Sequence, residues 1–313
     1  MTDTRPSVAI VIPVFNEESV LPELFARLEA LLKGNADCGW RVVFVNDGSR
    51  EKTADMVRSQ GLIDPRFELV ELSRNFGFQS ALAAGLAAAR QADAAVTMDA
   101  DLQDPPELIP ELVAAWRSGA EVVRAVRRSR QETGVRRAGF DLFHALFGKL
   151  TDIPIESNTG TFGLLGRPAL EAFAHLPERH RFFPGLRAWI GFATADVEYD
   201  RQERAAGKPK QTFRRLVRYA VDGFFSFSYL PLRFLTYAGI FVSGLGFALG
   251  LFFIVKRLLG IETASTGFTT LVSLVTFLGG IQLIGIGVLG EYLGRVYDEV
   301  KQRPVYLVKP PRR

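Results

Sequence analysis

From its beginning to about residue 120, the chain alternates short apolar runs with longer stretches in which apolar residues return every three or four positions. The short runs predict strands over residues 8–14, 41–45, 67–72, 94–98 and 121–125. The stretches between them predict helices over 20–32, 52–60, 79–90 and 106–117, where steps such as Leu21, Leu24, Leu28 and Leu31 give a helix one core-facing stripe. Alternation of this kind builds an α/β domain: a mostly parallel central sheet, right-handed crossovers and helices on its faces. In such a sheet a ligand binds beyond the carboxyl ends of the strands. The residues there are Pro13-Val14-Phe15-Asn16-Glu17, Asn46-Asp47-Gly48-Ser49, Ser73-Arg74-Asn75-Phe76-Gly77, Asp99-Ala100-Asp101-Leu102-Gln103 and Arg127-Arg128, so polar and charged groups are expected along one rim.

The pattern changes towards the C-terminus. Residues 234–255 and 268–289 carry no charged side chain, and each is long enough, at about 1.5 Å per residue, to cross a hydrocarbon core of about 30 Å. They predict a two-helix transmembrane hairpin. Lys256 and Arg257 lie in its link, but more Lys and Arg flank its outer ends, among them Arg233, Arg295, Lys301 and Arg303, so both ends are expected on the cytoplasmic side. Before the hairpin, basic residues interleaved with Phe213, Leu216, Val217, Phe224, Phe225 and Phe227 predict an amphipathic helix in the headgroup plane. The expected organisation is a cytoplasmic catalytic domain over 1–211, a juxtamembrane helix over 212–233, the hairpin over 234–290 and a cytoplasmic tail over 291–313. Gly246 and Gly250 allow close helix approach, and a homo-oligomer, dimer or tetramer, is the corresponding expectation.

Composition adjusts this picture in a few places. A hydrophobic share of 48% over 313 residues exceeds what one compact soluble domain needs. The first apolar run passes straight into Asn16, Glu17 and Glu18, so it reads as a strand and not as a secretion signal. The single cysteine, Cys38, cannot make an intrachain disulfide and suits a reducing compartment. The net charge of +4 comes with basic residues gathered in two clusters, six arginines over 124–137 and seven Lys or Arg over 201–218. That gathering, next to the apolar segments, fits anionic headgroups and phosphates, and no nucleic-acid partner is expected. His144, His175 and His180 lack metal-ligand spacing and no Gly-x-Ser-x-Gly elbow occurs, so neither zinc nor serine-hydrolase chemistry is supported.

Two carboxylates one residue apart at a strand end, Asp99 and Asp101, can share a divalent ion and its diphosphate ligand; hard oxygen donors suit Mg²⁺ or Mn²⁺. Asp101 is the expected metal ligand with Gln103 as neutral partner, and Asp99 is expected to face ribose or sugar. Asp47-Gly48-Ser49 fits a base- or ribose-binding turn or a plain strand-to-helix turn capped by Ser49. Glu17 is open to the same two readings.

Val11-Ile12-Pro13-Val14-Phe15-Asn16-Glu17, Asn46-Asp47-Gly48-Ser49, Ser73-Arg74-Asn75-Phe76-Gly77 and Asp99-Ala100-Asp101-Leu102-Gln103-Asp104-Pro105-Pro106-Glu107 resemble glycosyltransferase family 2. More closely the chain resembles the polyisoprenyl-phosphate glycosyltransferases, the dolichyl-phosphate mannose synthase and bactoprenol glucosyltransferase group, over nearly its whole length. The resemblance implies a glycosyltransferase-A-type domain at the cytoplasmic face of the inner membrane. It also implies transfer of one hexose-type sugar, from a UDP-sugar or GDP-mannose, to undecaprenyl or dolichyl phosphate by metal-dependent inversion. Carried onto this sequence it makes Asp99, Asp101, Arg127 and Arg204 catalytic, and gives the nucleotide-sugar to Pro13, Phe15, Glu17, Asp47, Asp99 and Ala100. The lipid phosphate falls to Arg127, Arg137, Arg204 and Lys210, and the metal to Asp101 and Gln103.

The chain departs from the family pattern at Asn46 and Thr161, where many relatives carry aspartate, and at Phe78-Gln79, where many carry Lys-Glu. Two alternatives follow. An inactive membrane scaffold with a nucleotide-sugar-binding head would explain the lost carboxylates. A processive polysaccharide synthase would need more spans and a Gln-x-x-Arg-Trp motif, of which only Arg187-Ala188-Trp189 occurs.

Overall fold

The computed structural model describes residues 5–128, 159–179, 181–200, 230–259 and 267–310. It divides into two compact units, residues 1–223 with 304–313, and residues 224–303.

The first unit is built on strands β1 (Ser7–Val14), β2 (Gly39–Asn46), β3 (Phe67–Glu71), β4 (Ala94–Thr97), β5 (Val122–Arg127), β6 (Thr159–Gly166) and β7 (Thr194–Tyr199). They form one sheet in the order β3-β2-β1-β4-β6-β5-β7. All the pairings are parallel except those of β6, which runs antiparallel to both β4 and β5. The helices are α1 (Leu21–Gly34), α2 (Thr53–Ile63), α3 (Phe78–Ala88), α4 (Ile109–Arg117), α5 (Arg167–Ala174) and α6 (Phe183–Trp189), with a 3₁₀ turn over Pro106–Leu108.

Burial explains why the central strands are apolar throughout. Val8, Ala9, Ile10, Val11 and Ile12 of β1 are wholly buried because both faces of the strand are covered. One face joins Ile10, Ile12, Val42 and Phe44 to Leu21, Leu24 and Leu28 of α1 and Leu112 of α4. Phe25 and Phe67 flank the Phe44 ring, edge-on at 5.6 Å and stacked at 6.2 Å between centroids. The other face packs Val43, Val45 and Leu72 against Ala81 and Ala84 of α3. Each buried leucine or phenylalanine contributes about 1.5–3 kcal/mol.

The expected strands and helices are present with shifted ends. β5 starts later than expected and runs on to Arg127, so that arginine is the last strand residue and not the first of a loop. The pairs β6–α5 and α6–β7 lay outside the predicted elements. β6 is glycine-rich, and β7 is an edge strand with mostly half-exposed or exposed positions, so neither shows a buried run.

The second unit holds α7 (Leu230–Leu258) and α8 (Phe268–Val300). They meet where a side chain added at Gly285 would lie 3.9 Å from Leu235. Large apolar side chains on both are exposed, among them Phe234, Phe241, Phe247, Leu274, Phe277 and Leu283. Among the described residues, Phe277–Val300 is long and apolar enough to cross a membrane, while Phe234–Leu249 is a shorter apolar stretch. The α8 helix runs on to Val300, past the span end expected at Leu289. The juxtamembrane segment up to residue 229 lies outside the described residues.

The chain then returns to the first unit. Val308 bridges Leu72 in antiparallel sense beside β3, an edge strand of the sheet. The Ser73 N–H donates to the Leu307 carbonyl and the Lys309 N–H to that of Glu71, each at 2.8 Å.

Candidate active site

At the carboxyl ends of β1, β2 and β3 three loops are knitted together by backbone groups. The Asn16 N–H donates to Ser49 Oγ at 3.0 Å, the Arg50 N–H to Asn16 Oδ1 at 2.9 Å, and the Glu17 N–H to Thr53 Oγ1 at 3.0 Å. Asn16 takes a left-handed backbone, φ 54°, which asparagine tolerates. Neither helix cap foreseen for Glu17 or Ser49 forms: α1 and α2 start at Val20 and Lys52 caps without side-chain bonds, and Ser49 binds the β1 loop instead.

Asp47 is 3% exposed, and its carboxylate accepts the N–H groups of Phe76 at 2.7 Å and Gly77 at 2.9 Å. Asn75 adds a bond from its side-chain amide to the Asp47 carbonyl at 3.1 Å. Burial pushes the Asp47 pKa up, against the opposing pull of those two N–H groups and of Arg74. Asp47 therefore braces the β3–α3 loop. Gly48 makes this possible: its φ is 72°, and a Cβ there would stand 2.6 Å from Asn75 N. Asn46 is buried and accepts the Ser49 N–H at 3.0 Å, so a neutral amide spares the site a second buried charge.

After β4 the chain turns sharply. Leu102 is buried with φ 58°, a strained conformation for a branched side chain, and it sits between Asp101 and Gln103. The Gln103 N–H donates to Asp101 Oδ1 at 3.2 Å. Asp99, Asp101 and Gln103 are half-buried, whereas Ala100 is buried. The Thr161 hydroxyl of β6 donates to Asp99 Oδ1 at 3.3 Å, and the Thr97 hydroxyl donates to the Thr161 carbonyl. Thr161 thus presents a donor to the Asp99 carboxylate.

Arg127 ends β5 half-buried. Its Nε donates to Tyr199 Oη at 3.3 Å, and the Tyr199 hydroxyl donates to Asp104 Oδ1 at 2.6 Å. Burial pulls the Arg127 pKa down, but Tyr199, Asp104 and Asp99 more than offset it, so the guanidinium stays charged. Burial, with the Asp104 carboxylate beside it, pushes the Tyr199 pKa well up. A Cβ added at Gly160 would come within 3.1 Å of Arg127 Nη2, so a larger residue here would press on that guanidinium. The Gly160 carbonyl also accepts Nη2 of the buried Arg187 at 3.2 Å.

Pro13 is buried within β1 opposite Val45, and Phe15 and Glu17 are half-buried just beyond it. The structure thus sets Pro13, Phe15, Glu17 and Asp47 at the ends of β1 and β2, and Asp99, Ala100, Asp101, Gln103 and Arg127 at the ends of β4 and β5. Arg137, Arg204, Lys210 and His180 lie outside the described residues, as do half of the first basic cluster and all of the second. Gln79 accepts the Phe183 N–H at 3.1 Å and ties α3 to α6. Sequence reasoning missed Tyr199 and Asp104. The signal available was a tyrosine and an aspartate of otherwise unexplained placement, 95 positions apart.

The donors available to a divalent ion are the carboxylates of Asp99 and Asp101 and the amide of Gln103. Among the described residues no group of three or more His, Cys, Asp or Glu gathers as a metal cluster. Two carboxylates suit Mg²⁺ or Mn²⁺, which keep waters and substrate phosphates as further ligands.

The sequence profile of glycosyl transferase family 2 matches residues 9–173. An uncharacterized glycosyltransferase of Synechocystis sp. is 46% identical over 96% of this chain and 94% of its own length. The uncharacterized glycosyltransferase YkcC of Bacillus subtilis is 41% identical over 96% and 93%. A bactoprenol glucosyl transferase of Shigella phage SfII is 40% identical over 98% of each chain.

Proposed function

The chain belongs to glycosyl transferase family 2, in its polyisoprenyl-phosphate glycosyltransferase group, and we propose that it moves one hexose-type sugar from a nucleoside diphosphate sugar to the phosphate of a polyisoprenyl lipid. The observation that carries this reading is the strand-end set of acids and one cation: Asp99 held by Thr161 at 3.3 Å, Asp101 held by the Gln103 N–H at 3.2 Å, and Arg127 seated through Tyr199 on Asp104. The full-length similarity to a protein named bactoprenol glucosyl transferase supports the lipid acceptor.

Asp47, Pro13, Phe15 and Glu17 would frame the nucleoside, with Asp99 and Ala100 towards ribose and sugar. Asp101 and Gln103 would hold Mg²⁺ or Mn²⁺, which supplies charge neutralisation of the diphosphate leaving group. Arg127, joined by Arg137, Arg204 and Lys210, would take the acceptor phosphate; a guanidinium forks onto two phosphate oxygens and a lysine adds a mobile charge. A lipid phosphate oxygen then attacks the anomeric carbon from the face opposite the diphosphate. The new carbon–oxygen bond forms as the bond to the diphosphate breaks, the nucleoside diphosphate leaves with the electron pair, and the configuration inverts. A phosphate monoester with a second pKa of about 6 is already an anion at neutral pH. Thr161 in place of a carboxylate is compatible with that, because positioning and charge management, and not proton abstraction, limit such a step. The helices α7 and α8 would form a membrane hairpin with both ends on the cytoplasmic side of the inner membrane, after a juxtamembrane helix over 212–233. Association into dimers or tetramers belongs to the same reading.

The test is turnover by the purified full chain with labelled UDP-glucose, UDP-galactose, UDP-N-acetylglucosamine or GDP-mannose and undecaprenyl or dolichyl phosphate. One labelled lipid is expected, and Asp101→Ala should abolish it with an unchanged melting profile. Absence of product with every donor would refute the proposal.

A further inference from the structure

The C-terminal tail lies against the nucleotide-side loop from behind. Tyr306 packs on the cluster of Val43, Val45, Leu72, Ala81 and Ala84, and Phe76 packs on that same cluster. Phe76 is one of the two residues whose N–H groups hold Asp47. The loop that carries it begins at Ser73, the residue whose N–H is fixed by Leu307. Lys309 closes the clasp on the far side of the bridge, its N–H on the Glu71 carbonyl and its ammonium 3.5 Å from the Glu71 carboxylate. The tail thus fastens β3 at the point where strand turns into loop, and Tyr306 supports the apolar base on which the loop rests.

From this arrangement we infer that residues 304–309 are a positioning element of the nucleotide site, with Tyr306 setting the conformation of the Ser73–Gly77 loop through Leu72 and Phe76. The inference rests on the donor reading above. Tyr306 touches no substrate; it acts by holding the N–H groups of Phe76 and Gly77 where Asp47 meets them. An edge strand without its clasp frays from the end, and the first backbone groups released are those leading into this loop.

The experiment uses the full chain in detergent with Tyr306→Ala, Tyr306→Phe and Lys309→Pro; the proline removes one edge hydrogen bond and the ion pair to Glu71 and leaves the apolar packing. Amide exchange at Phe76 and Gly77, affinity for UDP and GDP with Mg²⁺, and steady-state constants for donor and acceptor are measured. Tyr306→Ala should speed exchange at both amides and raise the donor KM and the nucleoside diphosphate Kd about tenfold, with kcat and acceptor KM within about twofold. Tyr306→Phe should restore both, since the ring does the packing. Should Tyr306→Ala fail to fold, Lys309→Pro gives the same readings, at a smaller rise. Unchanged Kd and exchange in a variant of a chain that binds nucleoside diphosphate would overturn the tail's role and leave the donor reading standing. A parent chain that binds no nucleoside diphosphate would overturn the donor reading, and the inference with it.

Discussion

Arg127 shows how a single guanidinium is aimed. Tyr199 receives one of its N–H groups and passes its own proton to Asp104, a carboxylate 1% exposed, so the arginine can leave its seat only by breaking a buried network. Tyr199→Phe should lower kcat/KM about tenfold and cost about 2 kcal/mol in thermal unfolding, the usual worth of a hydrogen bond to a charged group. Unchanged constants would separate Tyr199 from the site. Asp47 permits a prediction of sign. Its pKa is raised in the fold, so the folded protein holds this proton more tightly than the unfolded chain, and this residue's contribution to stability declines as pH rises through the shifted value. Asp47→Asn removes the titration while keeping one acceptor, as the protonated acid does. The stability of the variant relative to the parent should therefore climb as pH rises above the ordinary aspartate range, about pH 4. A flat or falling difference would contradict the assignment. At this scale Asp99 and Asp101 were legible because both lie in one short stretch after an apolar run. The Tyr199–Asp104 partnership was not, because it exists only once β5 and β7 pair in register and bring Arg127 opposite Tyr199.

Between elements, the site depends on loops touching backbone to backbone. The loop after β2 and the loop after β3 meet at Gly48, where a side chain would strike Asn75 and Arg74 main-chain atoms. Gly48→Ala should destabilise the first unit by about 2 kcal/mol or more, combining a left-handed backbone penalty with the clash, and should weaken nucleoside diphosphate binding beyond its effect on melting. A melting curve within about 0.5 kcal/mol of the parent would show that the loops are not held so closely. β1 to β5 and the first four helices could be read from the chain since doubly covered strands are uninterrupted apolar runs and amphipathic helices keep their step. β6 escaped because its Gly160, Gly163 and Gly166 dilute the pattern, although that strand carries Thr161 to Asp99. The tail's bridge escaped for a related reason: Val305 to Val308 is too brief a run to distinguish a partner strand from a loose end.

For the whole molecule, the exposed apolar surface of the second unit fits the proposed hydrocarbon surround, since its side chains facing water would cost about 25 cal/mol per Å². Leu283, 71% exposed in the middle of α8, tests this. Leu283→Arg should shift protein from the carbonate-resistant membrane fraction to the extractable one, an arginine at mid-span costing about 3 kcal/mol on insertion. Retention in the membrane at the parent level would argue against α8 as a span. The catalytic head and the apolar helices also differ in how their chain is ordered, because the head is completed by residues on both sides of the second unit. During synthesis, β1 to β7 emerge first, α7 and α8 follow, and the strap that closes β3 emerges after both. Until that strap is made, a nascent copy presents a bare sheet edge. Crowded polysomes would then hold neighbouring open edges side by side, and a chain ending early at residue 303 would keep that adhesive edge for life.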